Sequence, residues 1–238
     1  MAYVPQAAHL VALVFLSTGF LLAVLGAVLL HALATGHRER AGNVLKLGIA
    51  CAAIYGAALL GFSLLSKEQV LAVGETKYFC ELDCHLAYSV ESIMTAPALG
   101  AGDHVVKAGG TFYVVKLKTL FDAETTSSRR PQGASLSPNL RSAVVVDEQG
   151  RRFTPSLAGT RALTEPAGQN VPLTQALIPG ESYQTTLVFD LPADAKHPRL
   201  LLTDPFPVNW FLIGHENSFL HKKVLFSLEP HSAGKATG

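Results

Sequence analysis

The chain is short of charge. Asp, Glu, Lys and Arg make up 16% of its 238 residues, against about 25% in an ordinary soluble domain. Nineteen basic and eighteen acidic side chains leave a net charge of +1, so there is no electrostatic case for nucleic acid as a partner. Catalytic patterns are missing too. No Ser–His–Asp arrangement, phosphate loop or paired-carboxylate motif is legible, and the expectation is a non-enzyme. No long helical period occurs beyond residue 67. Cysteine is scarce, three residues, and tryptophan scarcer, one.

What is present is hydrophobic and gathered in the first 66 residues. Leu10 to Leu30 reads LVALVFLSTGFLLAVLGAVLL, and Leu47 to Leu65 reads LGIACAAIYGAALLGFSLL; neither holds a charge. About 20 apolar residues span the ~30 Å hydrocarbon layer of a bilayer. No positive residue precedes the first stretch and no clear cleavage site follows it, so both are expected as retained transmembrane helices, not a signal peptide. Arg38, Arg40 and Lys46 cluster between them. The positive-inside rule puts that connection in the cytoplasm and both chain ends outside, a multi-pass protein of the cell membrane with an extracytoplasmic C-terminal domain. Small residues at four-residue spacing, Gly19, Ala23 and Ala27 in one helix and Gly48, Ala52 and Gly56 in the other, would let backbones approach. His31 is expected at the interface, and Cys51 as a small packing residue.

From about residue 86 the period becomes two. Tyr113, Val115 and Leu117 oppose Lys116 and Lys118; Tyr183, Leu187, Phe189 and Leu191 alternate with polar residues; so do Val224, Phe226 and Leu228. Half-buried strands have this pattern. A hairpin turns at Asp147 to Gly150, where the acidic residues serve turn chemistry. Short strands between Pro/Gly turns indicate an antiparallel β-sandwich.

The stretches GGTFYVVKLKTLFD, VVVDEQGRRFTP, LIPGESYQTTLVFDLPADA and PRLLLTD together resemble the telokin-like, immunoglobulin-like extracellular family of unknown function. Their D-x-x-G-x-x-F hairpin and P-G-E turn leading into V-F-D-L-P carry the resemblance, over about residues 86–228. It implies an all-β immunoglobulin-like sandwich outside the cytoplasm, membrane-anchored or part of a lipoprotein. The expected organisation is a transmembrane hairpin over 1–66, a linker over 67–85, the extracytoplasmic sandwich over 86–229 and a disordered tail over 230–238. Thr125 to Ser137 reads as a mobile loop. Phe206, Trp210 and Phe211 either close the end of the sandwich core or touch lipid headgroups or a membrane partner.

The family lacks one segment found here, Cys80-Glu-Leu-Asp-Cys84-His85. Outside the cytoplasm a Cys80–Cys84 disulfide is one reading; a redox-active dithiol is another. A metal is the third. Cys80, Cys84 and His85 precede the first core strand, and His215 and His221 precede the last. In immunoglobulin-like sandwiches first and last strands often run parallel, which would bring these residues to one end. Two thiolates and two imidazoles suit zinc or copper. Two helices followed by an outer sandwich with Cys-x3-Cys is similar to subunit II of haem–copper oxidases, but Tyr88 and Glu91 stand where that family has His and Met. Cys-x3-Cys plus a distant His is similar also to Sco-type copper-delivery proteins, without their βαβ pattern. Haem attachment needs a Cys-x-x-Cys-His, one residue shorter. Two functions are expected in competition. One is a membrane-anchored module that binds or scaffolds an envelope or membrane partner. The other is a copper or zinc electron-transfer or metal-delivery protein associated with a membrane respiratory complex.

Overall fold

The computed structural model describes residues 2–5, 8–79, 85–125, 131, 133–164 and 170–229. Cys80, Cys84, the tail over 230–238 and much of the Thr125–Ser137 stretch, Arg129 and Arg130 included, lie outside the described residues. The chain divides into two compact units. One comprises Met1–Pro5, Glu68–Pro205 and Val224–Gly238; the other comprises Gln6–Lys67 and Phe206–Lys223.

The second unit contains two long helices, α1 (Ala8–Ala34) and α2 (Arg38–Leu65). Leu and Ala dominate both, and neither contains proline. They are long and apolar enough to cross a membrane. Each carries exposed large apolar side chains on several sides, Leu16, Phe20 and Leu30 in α1 and Ile54, Phe62 and Leu65 in α2 among them. A helix apolar all round is suited to lipid or to a protein core.

Both helices outrun the apolar stretches read from the sequence. The basic cluster is not a loop: Arg38, Arg40 and Lys46 lie in the first turns of α2, because Arg, Glu and Lys are good helix formers and hydropathy alone ends a span too early. What connects the helices is a tight turn. Gly36 has φ +76°. Its amide donates to Leu33 O at 3.2 Å, and the His37 amide donates to Ala32 O at 2.8 Å. These are the two bonds of a Schellman cap, which needs a residue without Cβ strain in the left-handed region. The glycines of the small-residue stripes are not points of tight backbone approach. A Cβ at Gly19, Gly26, Gly48 or Gly56 would meet nothing within 4 Å.

The first unit is built of two five-stranded sheets. One has the order β1 (Ala2–Tyr3), β3 (Thr76–Phe79), β4 (Leu86–Leu99), β5 (Val106–Phe121), β8 (Ser182–Leu191). The other has β2 (Gln69–Leu71), β10 (Val224–Ser227), β9 (Arg199–Thr203), β6 (Ser142–Val146), β7 (Arg152–Phe153). Alternate residues from both, such as Tyr88 and Val90, Val115 and Leu117, Leu200 and Leu202, and Val224 and Phe226, form one core. The unit is therefore a β-sandwich, and the alternating faces lie as the period-two pattern indicates.

Three features differ from expectation. The sheets are mixed, since β1 runs parallel to β3 and β2 parallel to β10. The segment expected as a linker over 67–85 carries β2 and β3, whose few residues are too short to show a period. A short helix, α3 (Leu157–Thr164), covers a second apolar cluster of Leu99, Phe112, Val114, Ala162 and Val188. Its sequence, LAGTRALT, includes Gly and two Thr, which are weak helix formers. Packing over this cluster offsets that weakness.

The quoted family-like stretches have physical roles. Asp190, in V-F-D-L-P, accepts from the Gly109 amide at 2.8 Å and the Gly110 amide at 3.2 Å. A Cβ on Gly110 would stand 2.2 Å from Leu191 O, so β5 and β8 meet here backbone to backbone. Asp147, in D-x-x-G-x-x-F, is buried. Its carboxylate accepts from the Gln149 amide at 3.0 Å, the Arg151 amide at 2.9 Å and Arg151 Nε at 2.7 Å. Arg151 Nη1 then donates to Asp194 at 2.8 Å. Burial alone would raise the Asp147 carboxyl, but the side-chain and backbone hydrogen bonds from Arg151 outweigh it and hold the group below the usual carboxylate range.

Gly110→Ala is expected to destabilise the sandwich by about 1–3 kcal/mol, the usual cost of overpacking where the backbone must shift; chemical denaturation would measure it, and an unchanged midpoint would contradict the close approach. The Asp147 contribution has a definite pH sign. A carboxyl lowered on folding stabilises above the ordinary carboxylate range, and that stabilisation is lost as pH falls through the lowered value. Asp147→Asn should therefore lower the melting temperature at neutral pH and narrow the gap to wild type as the solution is acidified.

Candidate functional site

β3 and β4 are antiparallel neighbours with Phe79 opposite Leu86, so the Cys80–His85 stretch is the connection between them. Of this stretch only His85 is described. It is buried, its ring lies 4.7 Å from that of Phe121, and its carbonyl accepts from the Asp122 amide at 2.8 Å. Asp122 also accepts from the Tyr78 hydroxyl at 2.6 Å. That hydrogen bond, followed by burial, pushes the Tyr78 hydroxyl up to about 12.

The other two candidate ligands belong to the helical unit. His215 Nδ1 accepts from the Asn217 amide at 3.0 Å. His221 Nδ1 lies 2.6 Å from Lys222 O; a carbonyl can only accept, so this nitrogen is the donor. Among the described residues, no three His, Cys, Asp or Glu side chains form a group able to hold a metal. The parallel pairing of first and last strands, invoked to bring the ligands together, is made by β2 with β10; the strand after His85, β4, lies in the opposite sheet. Cys51 is a free thiol, half-buried in α2.

Beside the β3–β4 connection lies a polar cluster that the sequence pattern did not reveal. Lys77 is 1% exposed. Its Nζ donates to Leu202 O at 2.7 Å and Val224 O at 3.2 Å, and so ties β3 of one sheet to β9 and β10 of the other. The same Nζ lies 4.8 Å from the centre of the Phe79 ring. Arg141 packs over that ring too, at 4.4 Å, and is 5.9 Å from the Tyr88 ring. Its side chain is fully buried and Nη1 donates to Asp204 at 3.3 Å. Two cations thus share one aromatic ring, an arrangement stabilised by the ring's negative face and by the carbonyl and carboxylate partners. In T-K-Y-F, Lys77 alternates in phase with Phe79. A lysine directed inward has the same sequence signature as a phase error, so the cluster is visible only in three dimensions.

The most exposed apolar surface outside the two long helices is the segment Phe206–Lys223, which belongs to the helical unit. A 3-10 turn over Pro207–Phe211 opens it. Phe206, Val208, Trp210, Phe211, Phe219 and Leu220 are all exposed, Trp210 at 56% and Phe219 at 63%. Within the same segment Asn209, Glu216 and Ser218 are buried, Ser218 to 2%. Ser218 Oγ donates to Leu212 O at 2.7 Å and also contacts His215 O. Two bonds fasten the segment to α2: Tyr55 Oη donates to Phe211 O at 2.6 Å, and the Lys222 amide donates to Ser66 Oγ at 2.8 Å. Of the two sequence expectations for these aromatics, closure of the sandwich core does not hold. Trp210 and its neighbours cluster with the helices and face outward.

No protein-family model matches the chain, and no curated protein matches it. Solved structures similar in backbone course include the yjhA protein from Bacillus subtilis, at 17% identity and TM-score 0.40 over 67% of this chain and 100% of that one. A secreted protein from Mycobacterium tuberculosis, MPT63, is similar at 10% identity and TM-score 0.41, over 69% of this chain and 99% of that one. A conserved hypothetical protein from Bacillus anthracis is similar at 16% identity and TM-score 0.37, over 54% of this chain and 92% of that one.

Arg141→Ala removes a buried cation and leaves Asp204, 12% exposed, without this guanidinium. Breaking one side of a buried pair costs about 3–5 kcal/mol, and denaturant unfolding should read a loss of that order. A loss within about 0.5 kcal/mol, the range of an ordinary surface substitution, would show that the cluster contributes nothing to the fold.

Proposed function

We propose that the chain is a membrane-anchored, extracytoplasmic, immunoglobulin-like module, held by a transmembrane hairpin and acting by binding or scaffolding an envelope or membrane partner. The observation that carries this reading is the place of the residues before α1. Ala2 and Tyr3 pair with Thr76 and Lys77 of β3, so the chain entering α1 and the chain leaving α2 share one folded unit. A chain that leaves a unit through one long apolar helix and returns to it through another, after a tight turn, crosses a bilayer twice and keeps both flanks on one side. The charge distribution agrees, since Arg38, Arg40 and Lys46 gather at the far end, the end expected in the cytoplasm. The parallel pairing of β2 with β10 supports the immunoglobulin-like assignment.

A binding role, not a catalytic one, fits the use made of the sandwich's polar groups. Asp147, Asp190 and Lys77 hold backbone amides or carbonyls, and Arg141 and Arg151 are engaged with carboxylates. These are the duties of a rigid framework.

Labelling of intact cells with a membrane-impermeant maleimide tests the topology. Ser135→Cys, on an exposed position of the sandwich unit, should gain label over wild type without lysis, whereas Arg40→Cys should gain it only after permeabilisation. The reverse pattern would overturn the proposal.

A further inference from the structure

The segment Phe206–Lys223 is built inside out. Its polar residues Asn209, Glu216 and Ser218 are buried, its large apolar residues Phe206, Val208, Trp210, Phe211, Phe219 and Leu220 are exposed, and Leu212 and Ile213 are half-buried. A surface loop in water has the opposite arrangement. The inversion does not come from an unfolded or poorly bonded backbone. The amides of Asn209, Leu212, His215, Ser218, Phe219 and His221 all donate within the segment, and that of Asn217 donates to His215 Nδ1. Amides held within the segment in this way lower the cost of an apolar surrounding.

Its attachment to α2 gives the level of the segment. The bonds from Tyr55 and to Ser66 bracket it, and from Tyr55 to Ser66 the helix rises about 16 Å at roughly 1.5 Å per residue. This is the C-terminal end of α2, away from its basic first turns. The whole helix, 28 residues, rises about 42 Å against a hydrocarbon layer of ~30 Å, so its ends reach into the headgroup zones. Trp and Phe favour that zone, where a ring can rest between acyl chains and water. The cations follow the same gradient, because Lys222 sits at the Ser66 end of the segment, nearest the lipid phosphates.

We propose that Phe206–Lys223 is a lipid-insertion element: it runs along the outer half of α2, with its 3-10 turn at the level of Tyr55 and Lys222 at the Ser66 end, and seats Phe206, Val208, Trp210, Phe211, Phe219 and Leu220 in the outer leaflet, among the acyl chains and up to the headgroup boundary. This rests on the reading that α1 and α2 cross a bilayer, and adds a third point of contact with it. The occupant is phospholipid. Six large apolar side chains are exposed on this one segment, and its exposed cation, Lys222, lies at the Ser66 end, where a lipid phosphate would meet it.

Trp210 is the only tryptophan, so the native chain carries its own reporter. The full chain is reconstituted in phosphatidylcholine vesicles, with and without bromine on the acyl chains. Most of the Trp210 emission should be lost to the brominated lipid, and little to acrylamide in the water. A second reporter, Phe62→Trp in a Trp210→Phe background, reads the outer part of α2, with Ile54→Trp as its substitute if position 62 does not accept the indole. Quenching of both reporters is the expected result. Quenching of the α2 reporter alone would overturn the insertion element and leave the hairpin standing; this includes a blue-shifted Trp210 emission insensitive to lipid, the signature of cover by protein. Quenching of neither would overturn the membrane hairpin, and the insertion element with it. Quenching of Trp210 alone would also overturn the proposal, because the segment would then not lie beside a span.

Discussion

The short parallel ladder between β2 and β10 governs how this chain can be organised. Val224, Leu225 and Phe226 pair with Gln69, Val70 and Leu71. β2 is the first stretch after α2, and β10 is the first after the segment Phe206–Lys223. Both departures from the sandwich into the helical unit therefore end on neighbouring strands. Within the helical unit the Lys222 amide meets Ser66 Oγ, the same pair of chain segments a few residues earlier. Each unit thus joins the same two strands of chain.

One chain contains two opposite partitions of polar and apolar groups. In the sandwich, Val115, Leu117, Leu200 and Leu202 face inward and Lys116 faces out. Where cations do enter, as Lys77 and Arg141 do, each is met by carbonyls, a carboxylate or an aromatic face. In the segment beside α2 the order is reversed. On the proposal that this segment lies in lipid, the same physical rule acts in both places: a polar group is placed where its hydrogen bonds are kept, and an apolar group where water is not.

Sequence patterns reveal different parts of this molecule unequally. Tyr113, Val115 and Leu117, or Val224 and Phe226, sit in strands long enough to repeat, and their inward faces are legible directly. β2 and β3 are not, because three or four residues cannot display a period. The turn at Asp147 is legible because turn chemistry is local. The Lys77–Phe79–Arg141 cluster is not, since it joins residues far apart in sequence and one of them breaks the expected alternation. The aromatics at 206–211 could be noticed from sequence, but their direction depends on Tyr55, more than a hundred residues earlier. Of the Cys/His set, His85, His215 and His221 are described, and their distribution between two units could not be read from spacing.

The turn at Gly36 has a bearing on biosynthesis. Its Schellman cap joins α1 to α2 with too few residues for either helix to settle independently. During translation α1 emerges first, but the Ala32 and Leu33 carbonyls that end it are satisfied only when the amides of Gly36 and His37 are in place. The basic first turn of α2 follows at once and resists translocation. On the proposed topology, a chain made this way would enter the bilayer as a closed hairpin, in a single event late enough for α2 to have been synthesised, and not as one helix waiting for its neighbour.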